Sequence, residues 1–265
     1  MSDPFDYSDT TVVVVGGTSG INRGIAELFA AHGARVAVAS RSQEKVDQTV
    51  EALRGYGGQA MGFAADVREA SAIKDGLGSV HEEYGDFDVL VSGAAGNFPA
   101  TAIGMSANAF RSVIEIDLLG SFHVVQGAYP YLRKPGASVI NISAPQAFVP
   151  MNAQAHVCSA KAGVDMITRC LALEWGPAGI RVNSVVPGPI EGTEGMRRLG
   201  PTPEAMDRFM NSVPLRRLGT PQDIGNACLF LASEYGSYIS GAVLPVDGGW
   251  AQTGAQGMAD ALADI

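Results

Sequence analysis

Cysteine is scarce in this chain of 265 residues, which has only Cys158, Cys170 and Cys228. Their number is odd and no spacing among them resembles a metal site or a redox pair, so free thiols in a reducing compartment are expected, and no metal. Basic residues are outnumbered, 18 Lys and Arg against 27 Asp and Glu, giving a formal net charge of −9 with no long basic run. Nucleic-acid binding needs a concentrated basic face and is not expected, although a local basic patch for a small anion stays open. No apolar run reaches the ~20 residues of a membrane span. Met1 to Asp9 is acidic and polar rather than leader-like, and the final Ala-Asp-Ile matches no common peroxisomal address. A cytoplasmic protein with no membrane partner is the expectation. What the chain does have is 46% apolar and 17% charged residues, the balance of a globular enzyme with a large core. Its length suits one large α/β domain.

The chain alternates apolar runs with helical periodicity. Thr11 to Val15 is continuously β-branched and reads as a strand buried on both faces. Ala34 to Ala39, Gln59 to Ala64, Asp88 to Ser92, Ala137 to Ile140, Ile180 to Val186 and Ala242 to Val246 read as six more strands. Helices are expected at Ile21 to Ala31, from Ser42 to about Gly55, over about Ala70 to Tyr84, from Ser106 to about Leu132, after the fifth strand, and over Asp223 to Ser233. Residues 191–214 read as irregular. This alternation predicts a single doubly wound α/β domain over 1–265, with a parallel seven-stranded sheet.

In such sheets ligands bind outside the carboxyl ends of the strands. Gly16, Gly17 and Gly20, with Thr18, Ser19 and Ile21, form a glycine-rich strand-to-helix turn that presents backbone N–H groups to a pyrophosphate. The second strand ends in Ser40-Arg41, with no acidic residue for ribose hydroxyls. Arg41 pairing with a 2′-phosphate points to NADP(H), with Arg23 as a helper; the alternative is a surface arginine at a helix start. Asp66-Val67, Ala94-Ala95-Gly96, Asn97, Ser143 to Ala147, and Pro187-Gly188 through Ile190 share the crevice. The stretch Asn141 to Asp165 is the centre of the chain, placing Lys161 and Asp165 on one helix face.

These motifs, together with the closing Asp247-Gly-Gly, resemble the short-chain dehydrogenase/reductase family over nearly the whole chain. The resemblance implies a Rossmann-type fold, with the first glycines on the pyrophosphate, Asp66 at adenine and Lys161 at the nicotinamide ribose. Residues after Pro187-Gly188 would flank the nicotinamide. The family's last turn glycine is here Asn22, which would either narrow the pyrophosphate approach or hydrogen-bond there. Its tyrosine, four residues before the lysine, is Val157; its serine is Ala144; its asparagine on the preceding helix is Asp117. A narrower resemblance, carried by GAAGNF, EIDLLG, His156 with SAK and Asp165, the segment from Glu174 to Gly200 and GAVLPVDGG, is to the peroxisomal-type NADPH-dependent 2,4-dienoyl-CoA reductases.

That resemblance implies hydride transfer to a dienoyl thioester, giving 3-enoyl-CoA without a catalytic tyrosine, and a homotetramer. Asn97 is then a candidate oxyanion donor or only a turn residue. Asp165 and Asp117 are candidate proton sources, Asp117 alternatively a structural partner. His156 is a relay or a packed side chain, and Tyr129 and Tyr131 are too distant to replace the tyrosine. Met196, Leu199, Met206, Phe209 and Met210 would form an acyl lid at about 190–214, with Arg197 and Arg198 on CoA phosphates. The alternatives are a carbonyl reductase or alcohol dehydrogenase with a relocated proton donor, and an inactive NADP-binding scaffold.

Overall fold

The computed structural model describes residues 4–194, 196 and 202–255. Seven strands form one sheet: β1 Thr11–Val15, β2 Arg35–Ser40, β3 Ala60–Ala64, β4 Val89–Ser92, β5 Ser138–Ile142, β6 Arg181–Pro187 and β7 Val243–Val246. All pairings are parallel, in the order β3-β2-β1-β4-β5-β6-β7. The order reverses between β1 and β4, and a doubly wound sheet opens its ligand crevice at such a point.

The β-branched run of β1 divides between the two faces with period two. Val12 and Val14 pack with α1 (Gly20–Ala31), α2 (Gln43–Arg54) and the helix Pro221–Ala232 through Ile25, Phe29, Val46 and Ile224. Val13 and Val15 join the opposite cluster with Ile73 and Leu77 of α3 (Ala70–Tyr84) and Val124 of the helix Gly120–Ala128. Each fully buried large aliphatic side chain contributes roughly 1.5–3 kcal/mol, so both faces are needed to hold β1 at the centre. Glycine allows a close helix approach on the first face: a Cβ at Gly24 would stand 2.4 Å from Pro221 Cβ, and one at Gly225 2.7 Å from Leu28 Cδ2.

Two regions differ from the sequence expectation. The continuous helix expected over Ser106 to Leu132 is instead α4 (Ala107–Val113), a π-helical stretch over Ile114–Leu119, α5 (Gly120–Ala128) and a short 3₁₀ turn at Tyr129–Tyr131 containing Pro130. Tertiary contact accounts for the wide turn. Leu118 fills the space a side chain on Gly163 would need, its Cδ1 2.7 Å from that Cβ position, while Asp117 is only 1% exposed. Within the expected irregular segment, α7 (Pro203–Ser212) forms, with Pro203 in the first turn, Glu204 beside it and the Met206 N–H donating to the Thr202 carbonyl. After it comes α8 (Pro221–Ala232), which starts two residues earlier than expected because Thr220 and Asp223 form a capping box.

The long helix α6 (Ala155–Trp175) lies against β5 and β6 through a buried polar seam. Asn141 Nδ2 donates to Thr168 Oγ1 at 2.8 Å, and Thr168 Oγ1 meets Ser184 Oγ at 2.8 Å and the Val164 carbonyl at 3.0 Å. Thr168→Val keeps the shape but strands Asn141 Nδ2 and Ser184, so it should destabilise the fold by about 1–3 kcal/mol. Denaturant unfolding reads this as a lower midpoint at unchanged slope; an unchanged midpoint would mean the seam carries no stability.

Candidate active site

The turn after β1 is fastened by the Gly16 N–H donating to the Ala39 carbonyl at 2.8 Å and leads into the N-terminus of α1. Gly16 has φ +84°, and a Cβ there would stand 2.9 Å from the Ala94 backbone nitrogen, so only glycine lets the two loops approach. Ser19, at the N-cap of α1, makes no side-chain cap, and the first turn holds no acidic residue. The first N–H groups of α1 therefore point outward, ready for an anion. A crevice of about 320 Å³ opens here, lined by Gly16, Thr18 and Ser19 from the turn, Ser40 and Arg41 from β2, Asp66 and Val67 after β3, and Ala94, Ala95 and Gly96 after β4. Ser42 and Lys45 also line it. Lys45 was not anticipated from the sequence; its position four residues after Arg41, in the first turn of α2, was the available signal.

Arg41 and Lys45 form no side-chain hydrogen bond or ion pair among the described residues, and both are exposed. Asp66 is instead gripped by Arg68, whose Nη2 stands 2.6 Å from Oδ2 and whose Nε is 3.0 Å from Oδ1. That grip holds its carboxyl down at about 2. Arg23, expected as a helper, turns away along α1 to bond Glu27 at 2.8 Å.

A second cavity of about 540 Å³ adjoins the first, and Asn22, Gly93 and Ala95 line both. Gly20, Ile21, Lys161, Pro187, Gly188 and Ile190 line this second space. So do Asp117, Ser143, Ala144 and Val157. Close approach shapes its far end, since a Cβ on Gly188 would stand 2.6 Å from Asp247 Cα. Met196 and Phe209 of the expected lid border it. Met206 and Met210 are absent from its lining; Leu199, Arg197 and Arg198 lie outside the described residues. Trp250, unanticipated, also lines the cavity and ties the exit of β7 to α7, its Nε1 donating to Ser212 Oγ at 3.1 Å.

Lys161 is 5% exposed. Its Nζ donates to the Ile142 carbonyl at 3.2 Å and stands 3.5 Å from Asp117 Oδ2. It shares a helix face with Asp165, as expected, yet pairs with Asp117. Asp117 Oδ1 accepts from the Gly96 N–H at 2.7 Å, so both its oxygens are engaged by donors. One side chain thus fixes both Lys161 and the Gly96 loop.

Asp165 is 3% exposed and does not border the cavity. Burial pushes its carboxyl up, offset in part by the hydroxyls of Ser143 and Ser184 and by Arg169 and Lys161. Oδ1 of Asp165 and Oγ of Ser143 are buried without a hydrogen bond of good geometry. Ser143 faces the cavity on one side and Asp165 on the other. Val157 packs with Val113 and Ala160, so the wall beside Lys161 is apolar.

Asn97 and Gln154 sit on the same wall with Gln146, and Asn97 Nδ2 lies 3.3 Å from Gln154 Oε1. His156 is fully buried, its Nε2 3.0 Å from the Phe98 carbonyl and its ring 4.7 Å from that of Phe98. It holds the loop after β4 and does not reach the cavity, so the relay expected as one alternative is replaced by packing. Ser159 bonds the Ala155 carbonyl. Tyr129 stacks on Trp175 and Tyr131 on His81, both away from the site. Among the bases near α7, Arg217 is held by Asp223 and Arg216 by the Asn211 carbonyl.

Residues 15–251 match the family model described as "Enoyl-(Acyl carrier protein) reductase". The chain is 42% identical over 244 residues, 91% of its length and 81% of the relative's, to a zebrafish (Danio rerio) protein named "Peroxisomal 2,4-dienoyl-CoA reductase [(3E)-enoyl-CoA-producing]". It is 39% identical over 241 residues, 90% of its length and 95% of the relative's, to the Bacillus subtilis (strain 168) protein named "Probable 2,4-dienoyl-CoA reductase [(2E)-enoyl-CoA-producing]". Among solved structures, the citronellol catabolism dehydrogenase of Pseudomonas aeruginosa PAO1 superposes with a TM-score of 0.82 at 32% identity, covering 95% of this chain and 99% of that one. With the glycine turn at the switch point and this match across the sheet, the chain belongs to the short-chain dehydrogenase/reductase family and is an oxidoreductase built for a nicotinamide cofactor.

Proposed function

We propose that this protein reduces 2,4-dienoyl-CoA thioesters with NADPH, giving the 3-enoyl product, and does so without a tyrosine. The observation that carries this reading is the second cavity. There a lysine is clamped by Asp117, an apolar wall stands where Val157 and Ala144 replace hydroxyl-bearing residues, and a carboxyl kept toward its neutral form lies behind Ser143. The relatives named for 2,4-dienoyl-CoA reduction support the substrate class. The residues present fit the cofactor: the glycine cradle and free α1 N–H groups suit its pyrophosphate, Arg41 and Lys45 suit a 2′-phosphate, and Lys161 suits the nicotinamide ribose hydroxyls.

The chemistry supplied by bound NADPH is hydride donation to the far end of the diene. The carbon–carbon double bonds then shift toward the thioester, whose oxygen takes the negative charge. Amide N–H groups of the Asn97, Gln146 and Gln154 cluster on the cavity wall can stabilise that oxyanion, the kind of interaction that usually contributes most to catalysis. The proton goes to carbon. Asp117 is held as an acceptor, which leaves Asp165 as the source, acting through the Ser143 hydroxyl: Ser143 gives its proton toward the substrate and takes one from Asp165. Delivery to the carbon next to the thioester carbonyl gives the 3-enoyl product; delivery two carbons further gives the 2-enoyl product. Met196, Phe209 and Trp250 form the lid that shields this step from water.

Three free cysteines fit the expected cytoplasmic setting, and among the described residues no helix is long and apolar enough to cross a membrane. Leu119, Phe122, Met166 and Leu173 stay exposed on α5, α6 and the π stretch, supporting the homotetramer expected from the resemblance.

Purified protein should consume NADPH rapidly with a short 2,4-dienoyl-CoA and negligibly with 2-enoyl-CoA or simple ketones, and mass and NMR analysis should return 3-enoyl-CoA. Ketone turnover would replace the reading with a carbonyl reductase. Tight NADPH binding with no turnover of any substrate would replace it with a scaffold.

The cofactor half is tested separately. Arg41→Ala and Lys45→Ala should each raise KM for NADPH roughly five- to tenfold, the loss of one exposed charge-assisted contact, and leave KM for NADH unchanged. Equal effects on both cofactors would remove the 2′-phosphate assignment.

Asp165 carries a pH dependence. Its folded pKa is raised above the ordinary value of 3.8. Its acid form therefore contributes stability fully below that value, and the contribution is lost as pH rises through the folded pKa. Asp165→Asn has no charge to bury, so its stability relative to wild type should improve as pH climbs. Its kcat should fall roughly 10²-fold or more, without the wild type's decline on the alkaline side. A stability difference that stays constant with pH would show that the carboxyl is not shifted.

A further inference from the structure

Asn22 occupies the position where a turn of this kind has its last glycine, as the third residue of α1. It is 8% exposed and borders both cavities. Its Nδ2 donates to the Gly93 carbonyl at 2.7 Å. A carbonyl oxygen only accepts, so this bond fixes which end of the carboxamide faces β4. Gly93 must be glycine for it, because a Cβ there would stand 2.4 Å from both amide atoms of Asn22. Asn22 Oδ1 is buried with no hydrogen-bond partner. Native chains seldom leave a buried acceptor unmatched, and here the acceptor stands at the seam of two ligand cavities.

The chemistry of the seam narrows what could match it. A pyrophosphate presents only acceptor oxygens at neutral pH, so it cannot satisfy Oδ1. On the NADP(H) reading the adenosine end would lie toward Arg41 and Asp66, which line the first crevice and not the second. Lys161, in the second cavity, has N–H donors alone. A sugar diol whose oxygens accept from Lys161 must direct its hydroxyl hydrogens to an acceptor elsewhere. The Ile142 carbonyl is engaged by Lys161 and the Gly93 carbonyl by Asn22 itself.

We propose that Asn22 Oδ1 accepts a hydroxyl hydrogen of the nicotinamide ribose, so that one side chain fastens α1 to the β4 loop and orients the reactive half of the cofactor. The proposal rests on the NADP(H) reading above. Asn22 is a cofactor-positioning residue, and the loss of the turn's third glycine becomes a gained contact.

The test uses binding of two fragments to the full chain, followed by calorimetry. One is 2′-phospho-ADP-ribose, which carries the second ribose; the other is 2′-phospho-ADP, which keeps the pyrophosphate and lacks that ribose. Asn22→Ala should weaken the first roughly fivefold, the size of one neutral hydrogen bond, and leave the second within roughly twofold. Equal weakening of both would show that Asn22 only shapes the turn, and no weakening of either would show that it makes no ligand contact; both outcomes overturn the proposal. Asn22→Gly repeats the comparison with the family's residue, so that a melting temperature lowered in the alanine variant does not decide the result. If wild type prefers ADP-ribose to its 2′-phosphorylated form, the NADP(H) reading fails instead, and the same comparison with ADP-ribose and ADP still judges Asn22.

Discussion

A single ammonium group, Lys161 Nζ, sits almost out of reach of water at the end of the sheet, and much of the site is arranged around it. An ion taken out of water needs a partner and further hydrogen bonds, and removing one partner of such a pair typically costs about 3–5 kcal/mol. Here the partner is Asp117 and the further bond is to the Ile142 carbonyl at the end of β5. Asp117 meets Lys161 from within the π stretch, and the same side chain ties down the Gly96 loop of the first crevice. The ion pair thus links α6, β5, the π stretch and the cofactor loop. Short π segments within α-helices often mark functional positions, and this one gives a carboxylate two tasks.

Around that pair, several constraints are backbone constraints. Gly16 lets the first turn lie against Ala94, Gly93 leaves room for the Asn22 amide, Gly163 admits Leu118 and Gly188 meets Asp247. In each case the glycine allows two elements to touch where a side chain would hold them apart. The two cavities adjoin across Asn22, Gly93 and Ala95, which line both.

The sheet was readable in the sequence because a parallel strand covered on both faces is predominantly apolar, and the β-branched runs of β1 and β4 to β6 say so, with a few buried polar residues such as Asn141 and Ser184 among them. Its boundaries differ from expectation by one or two positions, as hydrogen bonding rather than composition ends a strand. The crevice was readable too, since strand ends share one edge of a doubly wound sheet. Three features were hidden for distinct physical reasons. The π stretch keeps ordinary helical composition and is imposed by packing on α6. The partner of Lys161 could not be read from i, i+4 spacing, because Asp117 comes from another helix. Trp250 belongs to the site only through the distance between the ends of β7 and α7, which no local pattern encodes. The start of α7, by contrast, was written plainly in Thr202-Pro203-Glu204.

The two carboxylates near Lys161 illustrate how environment divides labour between identical groups. Asp117 has a cation beside one oxygen and a backbone donor on the other. Asp165 is as deeply buried, but hydroxyls adjoin it and its Oδ1 has no bonded donor, so desolvation dominates and pushes its carboxyl above the ordinary value. Beside Lys161 the cavity wall is apolar, with Val157 and Ala144 offering no hydroxyl, while Ser143 lines the same cavity and adjoins the buried Asp165 carboxyl. Identical carboxyl groups, one held by a cation and a backbone N–H and one set among hydroxyls, thus sit on two sides of the same lysine.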